Sequence, residues 1–215
     1  MPITFHYGSG SPPAWRVWLA LEFKALPYEM RRLSFDAGDT RRPEFLKINP
    51  RGRVPALVDG DFALYEANAI VEYLEEQYPA TPQLFPGSTR ERARVRRWIS
   101  EIDDDFARAV TELGAAVSVP KTERDDARIA RARKAVVDEL QVIDRLAEGD
   151  FLAGARVTAA DFAFYPLLAL LARYDLRNAD LGAAAAIPPR LGAWAGRIRA
   201  LSFFDKTIPP HWKPA

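Results

Sequence analysis

Up to Tyr78 the alternation of apolar and polar positions changes period several times. Ile3 to Tyr7 alternates with the period of a half-buried strand, and Gly8-Ser9-Gly10 breaks it. Ser11-Pro12-Pro13 opens a helix, since serine caps well and proline suits the first turn. Trp15, Trp18, Leu19 and Phe23 then recur at helical spacing. Pro27 stops this helix, and Tyr28 to Leu33 reads as a second strand, so strand–helix–strand order predicts a parallel pair. A polar stretch from Asp36 to Arg42 precedes a short helix over Pro43 to Lys47 and a turn at Asn49-Pro50-Arg51-Gly52. Val54 to Val58 and Phe62 to Tyr65 are short strands, with a hairpin signal at Asp59-Gly60-Asp61. Glu66 to Tyr78 turns helical, with Ile70, Leu74 and Tyr78 on one face. The sum is a small α/β sandwich around a mixed sheet.

Pro79 to Gly87 is rich in proline and reads as a linker. Beyond it the periodicity is helical only: Arg90–Ala116, Glu123–Glu148, Ala159–Tyr174 and Arg190–Leu201, then a proline-punctuated tail. The expected division is 1–78, a linker over 79–89, and an all-helical domain over 90–215. Thr158-Ala159-Ala160-Asp161 has the spacing of a capping box with Asp at its end, and Val157 and Phe162 stand at staple positions. That reading is structural. The Arg90–Arg97 cluster and the acids at Glu101 and Asp103 to Asp105 read as a solvated helix with pairs such as Arg97–Glu101.

Composition narrows the chemistry. The chain has 215 residues, 48% apolar and 27% charged, as in ordinary globular proteins. Its 30 basic and 29 acidic side chains give a net charge of +1, without the basic excess of a nucleic-acid binder. There is no cysteine, so disulfides, thiolate nucleophiles and thiolate-bound metals are excluded. The two histidines, His6 and His211, do not furnish a zinc site. His6 reads as a packed strand residue, and His211, in the tail, as a weaker catalytic candidate still. The start of the chain lacks a basic region followed by a long apolar stretch, and the longest apolar run, Phe162 to Ala172, is too short to span a bilayer. A cytoplasmic protein with no metal and no membrane or nucleic-acid partner is expected.

Three places carry candidate chemistry. Pro55 interrupts a strand-like run: it either starts a strand or forms a cis bond that lets the backbone of Val54 pair with an extended ligand. Glu66 and Ala67 open the third helix, whose free N–H groups suit a carboxylate while the Glu66 side chain suits an ammonium; simple helix capping is the alternative. Ser11 caps the first helix and offers a hydroxyl to a bound thiolate, with Tyr7 and Ser9 as rival donors. A hydrogen bond to a charged acceptor is worth about 1.5–3 kcal/mol, or one to two pKa units, and the thiolate is the reactive form.

Taken together, SPPAWRVWLAL (Ser11–Leu21), NPRGRVPAL (Asn49–Leu57), LYEANAIVEYL (Leu64–Leu74) and VTAADF (Val157–Phe162) resemble the glutathione transferase superfamily over essentially the whole chain. The resemblance implies a thioredoxin-like N-terminal domain joined to an all-α helical domain, usually as a homodimer. It implies that Pro55 is the cis-proline, that Val54 pairs with the cysteinyl part of glutathione, and that Glu66 holds the γ-glutamyl end. Arg53 falls where the family often has a glutamine or lysine near glutathione, and Arg41 is placed toward the glycyl carboxylate. Ser11 matches the activating serine of the serine-type classes, and the following WRV is most like the zeta class. The implied enzyme attacks a small hydrophobic electrophile by conjugation, peroxidase or isomerase chemistry. A non-catalytic binding or assembly module is the alternative. The helical domain would shape the electrophile pocket, with Trp98, Phe106, Phe164, Tyr165, Tyr174 and Trp212 as aromatic candidates, most of them core. One departure stands out: the family usually has Ser after the Glu, and here it is Ala67. The missing hydroxyl costs about 1–2 kcal/mol, a five- to thirty-fold loss of glutathione affinity.

Overall fold

The computed structural model describes residues 3–178 and 180–212. The strands are β1 (Ile3–Tyr7), β2 (Tyr28–Arg32), β3 (Ala56–Asp59) and β4 (Phe62–Tyr65). The helices are α1 (Pro12–Phe23), α2 (Pro43–Leu46), α3 (Ala67–Gln77), α4 (Thr89–Glu101), α5 (Ala107–Val117), α6 (Asp126–Leu146), α7 (Ala159–Arg177), α8 (Pro189–Arg199) and α9 (Phe204–Thr207). Two compact units emerge: one runs to Pro86 and takes in the segment from Leu201 onward, and the other is Gly87–Ala200.

In the first unit the sheet order is β2-β1-β3-β4, with β1 parallel to β2 and antiparallel to β3. The alternation read in β1 is realised: Ile3, Phe5 and Tyr7 are buried while Thr4 and His6 are half-buried. Edge strand β2 is mostly exposed and carries Glu29, Arg31 and Arg32, charges that discourage further strand pairing. Helix α1 is buried from Ala14 to Leu21 and packs on α3 and α9.

The sequence expectation is corrected at several points. Residues 79–86 are not a free linker: Leu84 and Phe85 are buried, and their N–H groups donate to Glu75. Glu75 also takes the ammonium of the buried Lys24 at 2.9 Å. The two apolar residues draw the proline-rich stretch onto the sandwich. The segment from Leu201 belongs with the first unit and not with the helices, because Trp15 holds it: its indole donates to Thr207 at 3.0 Å, and its ring lies against Phe204 and Trp212. Residues 213–215 of the expected helical domain lie outside the described residues. Tyr78 leaves the α3 stripe, because α3 stops at Gln77 and the Tyr78 hydroxyl donates to Asp59 at 2.5 Å.

In the second unit the helix expected over 90–116 is helical without a gap but holds a wider, π-helical stretch at Ile102–Phe106 between α4 and α5. The Arg97–Glu101 pair forms at 3.7 Å. The first half of α7 is buried all round, as its unbroken apolar run requires. The Asp161 carboxylate accepts from the Thr158 N–H and hydroxyl, the Leu152 N–H and the Trp194 indole.

Candidate functional site

Strand register brings three segments to one end of the sheet. β1 leaves that end as the Gly8–Ser11 turn and enters α1. His6 pairs with Ala56, so Pro55 and Val54 continue past the same end. Ala56 pairs with Tyr65, so Glu66 and the start of α3 follow beside them. The N-terminal halves of α1 and α3 are tied together by the Arg16 guanidinium, which donates to the Asn68 side-chain oxygen. Two helix N-termini, each a positive dipole end, thus face a common edge, with free N–H groups supplied mainly by α3 because α1 begins with two prolines.

Ser11 is the N-cap of α1, with φ −76° and ψ 116°, yet its hydroxyl makes no capping bond. Pro13 removes the N–H at N2, one of the two donors a capping side chain takes, and the Ser11 hydroxyl does not turn to the other, the Ala14 N–H at N3. The Ser11 backbone remains committed, its carbonyl taking the Trp15 N–H and its N–H bonding Gly8. The hydroxyl is left for a ligand. Of the rivals, Tyr7 is only 7% exposed, stacked on Phe5 and tilted against Trp18. Burial pushes its hydroxyl above the usual tyrosine range, against the opposing pull of Arg32. Ser9 is half-buried, and its hydroxyl is engaged with His211 at 2.7 Å.

The Val54–Pro55 bond is cis. The turn before it is built by Asn49, 2% exposed, whose amide donates to the Arg53 carbonyl at 2.7 Å and whose oxygen accepts from the Arg51 N–H. Gly52 has φ +61°, and a Cβ there would lie 2.9 Å from the Thr40 carbonyl, so glycine is required on both counts. Arg53 and Arg41 are both exposed, and the Arg41 stem runs alongside Gly52. Both cations are therefore available to an anion at this edge.

Glu66 has φ 71° and ψ 118°, a conformation a non-glycine residue rarely holds. Its side chain is exposed and makes no capping bond. Strain of this kind costs about 1–3 kcal/mol and gathers at ligand-binding sites. Ala67, the first residue of α3, is 8% exposed and presents its backbone N–H without a hydroxyl beside it.

Sequence reasoning passed over His211. Beyond Ser9 it faces a cavity of about 370 Å³ that Arg32, Leu33, Phe35 and Asp36 also line. Nothing in the tail's composition signals this, because the contact spans 202 residues. His6 matches the bland expectation: its ring lies against Phe45, and burial, then Arg31, holds it below the ordinary histidine value. Of the aromatic candidates, Trp98, Phe106, Phe164 and Tyr165 are core, Tyr174 is half-buried, and Trp212 stands with the first unit. Among the described residues no cluster of His, Asp and Glu has the makings of a metal site, and no helix is long and apolar enough to cross a membrane.

Known proteins resemble this chain in sequence and in fold. The pattern described as glutathione S-transferase, N-terminal domain, matches residues 5–82, and that for the C-terminal domain matches 126–197. A probable maleylacetoacetate isomerase of Vibrio cholerae is 32% identical, over 94% of this chain and 93% of its own. A glutathione S-transferase structure from the Antarctic clam Laternula elliptica superposes with a TM-score of 0.86 at 31% identity, covering 100% of this chain and 95% of that one. A theta-class glutathione S-transferase from Xanthomonas axonopodis, solved with glutathione bound, gives 0.78 at 29% identity, covering 97% and 98%. The fold, the motifs in their order and these likenesses agree: the chain belongs to the glutathione S-transferase family.

Proposed function

We propose that this chain binds glutathione along the end of the sheet and activates its thiol with the Ser11 hydroxyl. In this reading the backbone of Val54 pairs with the cysteinyl unit, and Glu66 takes the γ-glutamyl ammonium. The N–H groups at the start of α3, Ala67 first, receive the adjoining carboxylate. Arg53 and Arg41 serve the glycyl end. The sulfur then attacks a small hydrophobic electrophile, in conjugation, in peroxide reduction, or in an isomerisation that returns the glutathione. The likeness to the Vibrio cholerae protein keeps isomerisation in play. A homodimeric state, a cytoplasmic location and a detoxifying role belong to the same proposal. The observation that carries it is an N-cap serine whose hydroxyl makes no capping bond, at the edge where Val54 and Glu66 converge.

Ala67 is the feature that favours the alternative, a binding module without catalysis. Calorimetric titration with glutathione separates the two. Saturable binding in the wild type, tightened about five- to thirty-fold by Ala67→Ser, is the expected result. No binding at millimolar glutathione in either protein would overturn the transferase reading.

A further inference from the structure

Ser9 lies between two glycines at which two rings close on the backbone. A Cβ on Gly8 would overlap the Phe35 ring, and one on Gly10 would lie 2.9 Å from His211 Cε1. Gly10 also holds φ +80°, which favours glycine. The imidazole is fixed on two sides: Nδ1 is 2.7 Å from Ser9 Oγ, and Nε2 is 2.8 Å from the Trp212 indole nitrogen. An indole N–H only donates, so Nε2 accepts, and the neutral ring carries its proton on Nδ1 and donates it to Ser9. Trp212 in turn stands edge-on against Trp15, with ring centres 5.4 Å apart, and the Trp15 indole holds Thr207. A chain of contacts thus runs from α1 through the C-terminal segment back to the turn that precedes Ser11.

We infer that His211 is a positioning residue for thiol activation: as the Nδ1–H tautomer it clasps Ser9 and so fixes the turn that presents the Ser11 hydroxyl. The inference rests on the Ser11 reading above. Protonation would keep the Nδ1–H bond to Ser9 but set a second N–H at Nε2 against the indole N–H, donor against donor, so the neutral ring is the form that makes both contacts. Among the described residues, Arg32 and Asp36 line the same cavity as the ring, and its two hydrogen-bond partners, Ser9 and Trp212, are neutral.

Two measurements on the full chain test this. With only two histidines, nitrogen NMR of the imidazoles reads the tautomer directly. Steady-state kinetics with glutathione and 1-chloro-2,4-dinitrobenzene read the consequence. The wild type should show His211 as Nδ1–H, and Trp212→Phe should weaken that preference. His211→Ala should lower kcat about two- to tenfold, the worth of one neutral hydrogen bond, with little change in the KM for glutathione. His211→Asn, whose amide can donate from the place of Nδ1, should restore most of that loss. An Nε2–H ring, a kcat that His211→Ala leaves unchanged, or a loss that Asn does not restore would each overturn the inference. Ser11→Ala separates the two claims. If it leaves the bound thiol's titration unmoved, the Ser11 reading fails; if it moves it while His211→Ala leaves kcat unchanged, only the clasp fails.

Discussion

At the scale of single residues, the site depends on what its neighbours do not provide. Ser11 makes no capping bond: Pro13 lacks the N–H at N2, and the hydroxyl does not turn to the one at N3. Both prolines are plain in the sequence, where they signal a helix start; that the Ser11 hydroxyl makes no capping bond is seen only in the cap geometry. Glu66 is similar: its exposed, uncommitted carboxylate and positive φ fit a group held for a ligand. Replacing it by Gln should weaken glutathione binding by about 1.5–3 kcal/mol, roughly ten- to 150-fold, by removing the charge opposite the ammonium. Titration calorimetry checks this, and an unchanged affinity would remove Glu66 from the site. His211 was beyond sequence reasoning, since nothing local ties a proline-rich tail to a glycine turn 202 residues away.

At the scale of elements, period and punctuation predicted the strands and most helices, and errors fall where tertiary contacts override local pattern. The stretch 79–86 has a linker's composition, yet Leu84 and Phe85 anchor it through Glu75. Burial pushes the Glu75 carboxyl up, but the Leu84 N–H, Lys24 and the Phe85 N–H outweigh it and hold it below the ordinary value of 4.5. A depressed carboxyl adds stability above its unfolded pKa and loses it as pH falls through the folded one. Urea unfolding of the wild type should therefore weaken as pH drops below about 4.5, and Glu75→Gln should flatten that part of the slope. At neutral pH Glu75→Ala should cost about 3–5 kcal/mol, because it strands the buried Lys24 ammonium. In the second unit the box at Thr158 was legible, but its reach to Trp194 was not, since that residue lies 33 positions on. Asp161→Ala leaves the Leu152, Thr158 and Trp194 donors without their acceptor. It should lower stability by about 3–5 kcal/mol in the same assay.

At the scale of the whole molecule, 30 basic and 29 acidic side chains nearly cancel, so no large overall field pulls a proton from a bound thiol. Any lowering of its pKa must be local, from the Ser11 hydroxyl and the positive ends of α1 and α3. The fold suits this: register gathers the three segments at one end of the sheet, and the chain returns at Leu201 to brace the turn that carries Ser11. The thioredoxin-like half and the helical half are both legible in the amino-acid sequence through the family motifs. The return is not, because packing on Trp15 decides it and no periodicity records it. The most direct test of the account is the ultraviolet thiolate titration of bound glutathione in the wild type and in Ser11→Ala. The account predicts a wild-type thiol well below its free value of about 8.5 and a rise of about one to two units in Ser11→Ala. Equal pKa values in the two proteins, with glutathione bound to both, would contradict it.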